Sequence, residues 1–233
     1  MKKVLVYVIL VALVVGLAGY FMRGQLVMAV LPRLSVGGIE LLTAEATGPR
    51  GEKLTPRISQ TAKALWGIYA GLTLIEVLVL KATGLSLFDS VNHAFTSMAT
   101  GGFSTRNGSL KSFDNPWAEM VVAVFMLFGA INFALHFQLI RGQFKRVFRD
   151  VELRFFLGLV AVATVVVAFD LGMSGQDGGS AIRESFFQVV SVSTSSGFST
   201  ADYDGWPHLS RALLFVLMFV GGCAGSTVGS IKV

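Results

Sequence analysis

The sequence has few charged residues. Asp, Glu, Lys and Arg make up 14% of its 233 residues, whereas 53% are hydrophobic and the mean hydropathy is +0.68. Because soluble domains carry about 25% charged residues, this composition excludes an ordinary soluble domain. The single cysteine, Cys223, excludes an intrachain disulfide. The sequence offers no metal-ligand cluster, no paired nucleophile and base and no phosphate loop, so we expect neither an enzyme nor a cofactor.

Acidic residues are absent from the first 39 positions, and the net charge of the whole chain is +5. Such a charge can indicate nucleic-acid binding. Here, however, the cations collect in two loops, 32–63 and 141–154, that separate apolar runs. The positive-inside rule assigns such loops to the cytoplasm. The sequence therefore predicts a multi-pass membrane protein, surrounded by lipid and without a nucleic-acid partner.

Long apolar runs predict an all-α membrane protein with about five spans. The first run, at 4–19, can also be read as a signal peptide, but no small-residue cleavage pattern follows it and a retained helix is favoured. Two further segments, 88–98 and 182–192, are too short to cross a bilayer and are predicted to be re-entrant pore helices. The remaining spans are predicted at 64–80, 117–140, 155–171 and from 209 onwards.

A seven-residue pattern follows each re-entrant segment, at 99–105 and again 95 positions later at 194–200. Both copies end in Gly-Phe-Ser-Thr, and both preceding segments open with an acid and a serine. A single copy would indicate no more than a surface turn. Two copies in matched register instead favour a pore loop, and we expect Asp89 and Glu184 at the helix ends remote from the loops, where negative charge is favourable.

The glycine loops suggest how a cation would be held. Non-helical backbone at membrane depth is tolerated where it lines a watery cavity. Glycine lets the carbonyl groups turn toward a common axis, where they can replace the hydration shell of a potassium-sized ion. Neither loop contains an acid, which favours selection by backbone carbonyls over selection by carboxylates. The predicted ion-binding residues of this selectivity filter are Thr100, Gly101, Gly102, Phe103, Ser195, Ser196, Gly197 and Phe198.

Residues 221–230 form a second unusual stretch. Glycines at every fourth position are typical of a close helix–helix contact. The same ten residues, however, include four glycines, two serines and a threonine, which disfavour a helix interior. A flexible gate below the filter is the alternative prediction. Its residues are Gly221, Gly222, Cys223, Ala224, Gly225, Ser226, Thr227 and Gly229.

Three other polar residues fall within predicted spans. Glu76 would be costly against lipid, so we expect it to face the helix bundle or the outer interface. Asn132 and His136 lie four residues apart on one predicted helix. They fit helix-packing contacts as well as a pore lining.

At these residues the chain resembles the Trk/Ktr/HKT superfamily of potassium transporters, most closely its bacterial TrkH-type members. The resemblance covers about residues 30–233. It implies four helix–pore-loop–helix repeats around one pore, with filter sites in the loops and a gating loop at 221–230. It also implies a dimer that binds cytosolic nucleotide-binding regulatory subunits of the TrkA type. The matching segments are 54–66, GGFST at 101–105, NFALHF at 132–137, SGFSTAD at 196–202 and GGCAGST at 221–227 with Ile231 and Lys232.

The sequence departs from that pattern because it holds two of the four repeats. The resemblance divides it into an N-terminal helix left from the first repeat (1–31), a cytoplasmic loop (32–63), the second repeat (64–140) and a truncated third repeat (141–233). We therefore expect a fragment, a split product or a decayed copy that does not conduct alone and that functions within a homodimer or with the rest of a pore. The alternative is a non-conducting scaffold that pairs with a complete pore subunit.

Overall fold

The computed structural model describes residues 58–232, with side chains from Ala62 onward. The predicted first span and nearly all of the first basic loop lie outside these residues. The chain divides into two compact units, Met1–Trp66 and Gly67–Val233. Both glycine loops and the helices around them belong to the second unit.

The described part of the chain is helical, in agreement with the predicted fold class. Two short 3-10 turns, Ser109–Phe113 and Tyr203–Gly205, follow the two glycine loops. The α-helices in chain order are α1 (Ile58–Ala82), α2 (Leu87–Met98), α3 (Pro116–Ala130), α4 (Phe133–Ile140), α5 (Phe144–Val147), α6 (Val151–Met173), α7 (Gly178–Ser193) and α8 (His208–Leu217).

Helices α1 and α6 are long and apolar enough to cross a membrane, over Ala62–Ala82 and Val151–Met173. This confirms the spans predicted at 64–80 and 155–171. Both helices expose large apolar side chains on one side, as Leu74 and Val165 do at 60% and 67% exposure. Such exposure fits a face turned toward lipid, because water would disfavour it.

The span predicted at 117–140 is not one continuous helix. Its residues form α3 and α4, which are inclined by 100° to each other across a short break. Asn132 causes helix α4 to begin there, because its side chain accepts a hydrogen bond from the backbone N–H of Ala134 at 2.8 Å. The backbone N–H of Phe133 is satisfied from elsewhere, by the carbonyl of Gly225 at 3.1 Å. The break is therefore a built corner between two helices.

The last predicted span is also shorter than expected. Helix α8 ends at Leu217, and the backbone from Gly221 onward is irregular. A helix of ten residues is about 15 Å long, which does not cross a hydrocarbon core. The described spans are therefore α1, α6 and, if the bent pair counts as one, α3 with α4.

Helices α2 and α7 have the lengths expected of re-entrant helices, 12 and 16 residues. Helix α7 is the more central of the two, because it packs against α6, α3 and α8. Its residues Phe187, Val189 and Val190 belong to the main apolar core, which also contains Met126 of α3 and Phe156 of α6. This core fixes the position of the loop that follows α7.

The two repeats correspond closely, with one difference in length. The turns before α2 and α7 match at an offset of 91, since Gly84 and Gly175 both have positive φ angles, 101° and 89°. The loops after these helices match at an offset of 95. Helix α7 is therefore four residues, about one helical turn, longer than α2, at the end remote from its loop.

The extra turn decides where the two acids lie. Asp89 lies in the first turn of α2, as predicted, and accepts a hydrogen bond from the Ser86 hydroxyl at 2.6 Å. The prediction for Glu184 is wrong. Helix α7 begins six residues earlier, at Gly178, and the residue that caps it is Asp177. Glu184 lies inside the helix and accepts a hydrogen bond from Gln176 Nε2 at 2.7 Å.

Candidate functional site

The two glycine loops have the same backbone conformation. Thr100 and Ser195, the second residue of each loop, are in the left-handed region with φ of 51° and 54°. Gly102 and Gly197, two positions later, are there as well, with φ of 65° and 84°. A left-handed threonine or serine costs about 1–2 kcal/mol, so the surroundings must hold it in place. The same strained pattern at matched positions marks both loops as specialised backbone.

Equivalent hydrogen bonds hold each loop against its helix. In the first loop, the N–H groups of Gly101 and Gly102 both donate to the carbonyl of Thr96, at 2.7 and 3.3 Å. In the second loop, Ser196 and Gly197 donate to the carbonyl of Ser191, at 2.9 and 3.3 Å. These bonds satisfy carbonyls that a helix end leaves open. The loop nitrogens thus turn back onto the helix.

Side chains of the pore helices also bind the loops, a role that was not predicted for them from the sequence. The hydroxyl of Thr96 donates to the carbonyl of Phe103 at 2.8 Å, and that of Ser191 donates to the carbonyl of Phe198 at 2.7 Å. His93 Nε2 lies 2.9 Å from the hydroxyl of Ser104. A sequence signal for this role exists, because Thr96 and Ser191 are 95 positions apart, as the loops are.

The fold brings the two loops directly together. A β-carbon placed on Gly102 would lie 1.8 Å from the carbonyl oxygen of Ser196. That distance leaves space for glycine and no other residue. The ring of Phe198 stacks on His93 of the other repeat, with centroids 5.8 Å apart. All eight predicted ion-binding residues therefore lie in two adjoining loops.

The predicted gate residues lie next to the same two helix ends. The hydroxyl of Thr100 donates to the carbonyl of Thr227 at 3.0 Å, so the first loop touches this segment. A β-carbon on Gly221 would lie 1.9 Å from the carbonyl oxygen of Ser193, at the end of α7. Residues 221–230, which we call the glycine segment, thus contact the C-terminal ends of both pore helices.

Helix α3 holds the glycine segment from one side. The N–H of Cys223 donates to the carbonyl of Ala130 at 2.9 Å, and both the N–H and the hydroxyl of Thr227 donate to the carbonyl of Gly129, at 3.1 and 2.9 Å. The glycine segment is therefore not helical, and these hydrogen bonds attach it to the end of α3. The prediction of a regular small-residue helix contact therefore fails, since residues 221–230 form no helix.

Helix α6 and the end of the chain hold it from other sides. The carboxylate of Glu152 accepts a hydrogen bond from the N–H of Ala224 at 3.2 Å. The ammonium group of Lys232 donates to the carbonyl of Val228 and lies 3.4 Å from the hydroxyl of Ser226. No sequence signal pointed to Glu152, which is 72 residues from its partner. Its position joins the glycine segment to the second basic loop.

The remaining polar predictions have clear outcomes. Glu76 is fully buried and faces the bundle, where it accepts a hydrogen bond from Ser97 of α2. His136 lies 2.9 Å, through Nε2, from the carbonyl of Phe128, and so supports the corner between α3 and α4. Asn132 lies at that corner, next to Gly225 of the glycine segment. Within residues 58–232, no group of three or more His, Cys, Asp or Glu side chains is arranged to hold a metal ion.

Comparison with known proteins relates the chain to one family of cation transport proteins. The cation transport protein family TrkH matches residues 23–233. The chain is 43% identical over 211 residues to the Trk system potassium uptake protein TrkH of Halomonas elongata and 42% identical over 214 residues to that of Escherichia coli K12. It is 38% identical over 213 residues to the Trk system potassium uptake protein TrkG of Escherichia coli K12. Each alignment covers 89% of this chain and 43–44% of the relative.

A solved structure agrees with the sequence comparison. The crystal structure of the potassium transporter TrkH from Vibrio parahaemolyticus matches with a TM-score of 0.72 and 33% identity, over 89% of this chain and 43% of that one. The chain thus spans less than half the length of the relatives it matches. The match confirms the predicted resemblance and the non-enzyme prediction. The chain belongs to the TrkH family of cation transport proteins, and it is an integral membrane protein.

Proposed function

We propose that this chain supplies two pore loops of a TrkH-type potassium uptake protein in a bacterial inner membrane. The relatives that it matches are named potassium uptake proteins. The observation that carries the proposal is the repeated loop, with left-handed residues and helix-end hydrogen bonds at equivalent positions. A soluble or scaffolding role would not require the same strained backbone twice.

In this proposal, backbone carbonyls of residues 100–103 and 195–198 bind the cation. Two N–H groups of each loop donate to the carbonyl of Thr96 or Ser191, so carbonyl oxygens are the loop groups available to an ion. The C-terminal ends of α2 and α7 add partial negative charge beside the loops. Carbonyl coordination in place of water is the established means of conducting potassium.

The glycine segment is the proposed gate. It contacts the first loop through Thr227 and the end of α7 through Gly221. Glycines, a few hydroxyls and side-chain anchors such as Glu152 make its position adjustable at modest cost, because single hydrogen bonds contribute about 1 kcal/mol each. Movement of this segment would open or close the path on the inner side of the filter.

The proposed assembly contains further pore loops and cytosolic partners. Two loops surround only part of an ion, so additional repeats must complete the coordination. A homodimer or an assembly with the rest of a pore would supply them. The second basic loop, with Arg141, Lys145 and Arg146 exposed, is the proposed contact for a nucleotide-binding regulatory subunit of the TrkA type.

Complementation in a bacterium that lacks its own potassium uptake tests the proposal. Three strains are compared. One expresses this chain alone, one expresses only a TrkH relative from which the matching segment has been removed, and one expresses both. Growth on low potassium and rubidium uptake are measured, and co-purification shows whether the two pieces assemble. We expect uptake only when both pieces are present.

Two other results would contradict the proposal in different ways. Co-purification without uptake would favour a non-conducting scaffold. Potassium-selective flux from the purified chain in liposomes would instead show that two loops per chain are enough, for example through a symmetric dimer. The Gly197→Val variant is the control for each assembly, because its strained loop should lose uptake while the protein still reaches the membrane.

A further inference from the structure

The two repeats differ at one buried position behind the first loop. Glu76 of α1 is completely buried and accepts a hydrogen bond from the hydroxyl of Ser97, in the last turn of α2. Its other carboxyl oxygen, Oε2, has no hydrogen-bond partner in the described part of the chain. A carboxyl group in this state is costly, so its presence calls for an explanation.

The second repeat shows that the fold does not require this acid. Val167 corresponds to Glu76, because each lies eight residues before the left-handed glycine of its repeat, Gly175 or Gly84. Val192 corresponds to Ser97, because each lies three residues before the left-handed residue of its loop, Ser195 or Thr100. Both valines belong to the buried apolar core. Where the first repeat has a buried Glu and Ser, the second therefore has two valines.

The packing of the helices explains why the pairs differ. The backbones of α6 and α7 lie close together at many positions, whereas those of α1 and α2 do so at few or none. Two short valines are sufficient where backbones are close. The longer side chain of Glu76 can reach across a wider separation and attach the end of α2 to α1 by one directed bond.

That attachment acts at the start of the first loop. The carbonyl of Ser97 accepts a hydrogen bond from the N–H of Thr100 at 3.0 Å, and Thr100 is the first left-handed residue. Thr96, the neighbour of Ser97, accepts from Gly101 and Gly102. Rotation or fraying of this last turn would therefore move every loop N–H that it holds.

We propose that Glu76 is a positioning residue for the first pore loop, which it holds in its strained conformation through Ser97. It does not touch the ion. The second loop needs no such residue, because close packing of α7 holds it. The consequence for ion selection rests on the proposed function, whereas the positioning role does not.

Amide hydrogen exchange of the purified chain in lipid nanodiscs tests the positioning role. The double variant Glu76→Val with Ser97→Val copies the second repeat, and Glu76→Gln keeps a hydrogen-bond acceptor for Ser97. Thr73→Val is the matched control, since Thr73 is buried on the same helix and bonds only to the carbonyl of Tyr69. Segments 97–103 and 192–198 are followed separately.

We expect exchange in 97–103 to rise by about fivefold in the double variant, the change that corresponds to one lost hydrogen bond. Exchange in 192–198 should stay unchanged, and Glu76→Gln and Thr73→Val should match the wild type. Ser97→Ala removes the donor while Glu76 remains and should raise exchange in the same segment, which keeps the test decisive if the double variant does not fold.

Three results would overturn the proposal. These are no change in 97–103, an equal change in both loops, or a change in Glu76→Gln as large as in the valine variant. In a conducting assembly, the double variant should also lose about fivefold in potassium-over-sodium discrimination, whereas Glu76→Gln should retain it. If the wild type conducts in no assembly, the proposed function fails, and the exchange result still decides the role of Glu76.

Discussion

Phe103 and Phe198 occupy the same position in the two loops, yet Phe103 is 77% exposed and Phe198 is 1% exposed. Phe198 is covered because it belongs to the main apolar core, where its ring also stacks on His93 of the other repeat. Among residues 62–232, Phe103 has no corresponding ring partner. The loops are therefore alike in backbone and different in the burial of their side chains.

This difference predicts unequal effects of removing the two rings. Phe198→Ala should lower stability by about 3 kcal/mol, because a buried aromatic side chain leaves a cavity. Phe103→Ala should change the stability of the isolated chain by less than about 0.5 kcal/mol. Thermal unfolding of both variants in the same detergent measures the difference. Equal shifts would show that Phe103 is covered in the purified protein.

Gly102 and Gly197, the left-handed glycines of the two loops, should also respond unequally to substitution by alanine. Gly102→Ala adds backbone strain and a clash with the carbonyl of Ser196, whereas a β-carbon on Gly197 meets no atom within 4 Å. Strain alone costs about 1–2 kcal/mol. We expect Gly197→Ala to fold with reduced thermal stability and Gly102→Ala to be much less stable. A similar melting temperature for both would mean that the loops can separate.

The hydroxyl of Ser191 should matter for ion selection. Ser191→Ala removes the donor to the carbonyl of Phe198, so that the loop loses a buried hydrogen bond worth about 1 kcal/mol. Ser193→Ala is the control, because that hydroxyl bonds only within its own helix, to Val190. In a conducting assembly, competition between rubidium and sodium should show reduced discrimination in the first variant alone. Equal loss in both would indicate general destabilisation.

Glu152 should restrain the proposed gate. Glu152→Ala leaves the N–H of Ala224 without its acceptor, and exchange in 221–230 should rise about fivefold. Uptake in the absence of a regulatory subunit should rise with it. Asp150→Ala is the matched control, because Asp150 caps the same helix through the N–H of Leu153. The proposed link fails if the control raises uptake equally, or if the exchange of the glycine segment is unchanged.

The predicted topology can be tested with single cysteines. Asn107, between the first loop and α3, should lie outside the cell, and Lys145 in the second basic loop should lie inside. Both side chains are exposed, and the native Cys223 is fully buried, so it should not react in folded protein. A membrane-impermeant maleimide should label Asn107→Cys in intact cells and Lys145→Cys only after permeabilisation. The reverse pattern would invert the topology.

Repetition made the loops predictable from sequence. Gly102 and Gly197 recur at a fixed spacing after short apolar segments, and periodic patterns of this kind report local backbone directly. Helices α1 and α6 were predictable for a similar reason, since a long apolar run with few charges has few alternatives to a membrane span.

The remaining features depend on contacts between distant residues. The corner at Asn132 lies in an apolar run, and besides the local cap it includes a hydrogen bond from Phe133 to Gly225, which is distant in sequence. The bond between Glu152 and Ala224 likewise joins residues 72 positions apart. Glu184 does not lie at the helix end because α7 extends four residues farther from its loop than α2 does. Hydropathy and spacing carry no information on such pairings.

The additional turn of α7 shows where these repeats can change length. Four residues advance a helix by about 400°, which is one full turn and about 40° more. Side chains beyond four extra residues therefore point only about 40° away from their original direction. The apolar side of the helix therefore remains directed to the core on both sides of the insertion. Because the added turn lies at the end remote from the loop, the conformation at Ser195 and Gly197 is retained. Whole helical turns and connecting loops at the helix ends remote from the glycine loops are thus the positions where tags, reporter domains or engineered spacers can be inserted while the loop backbone keeps its register.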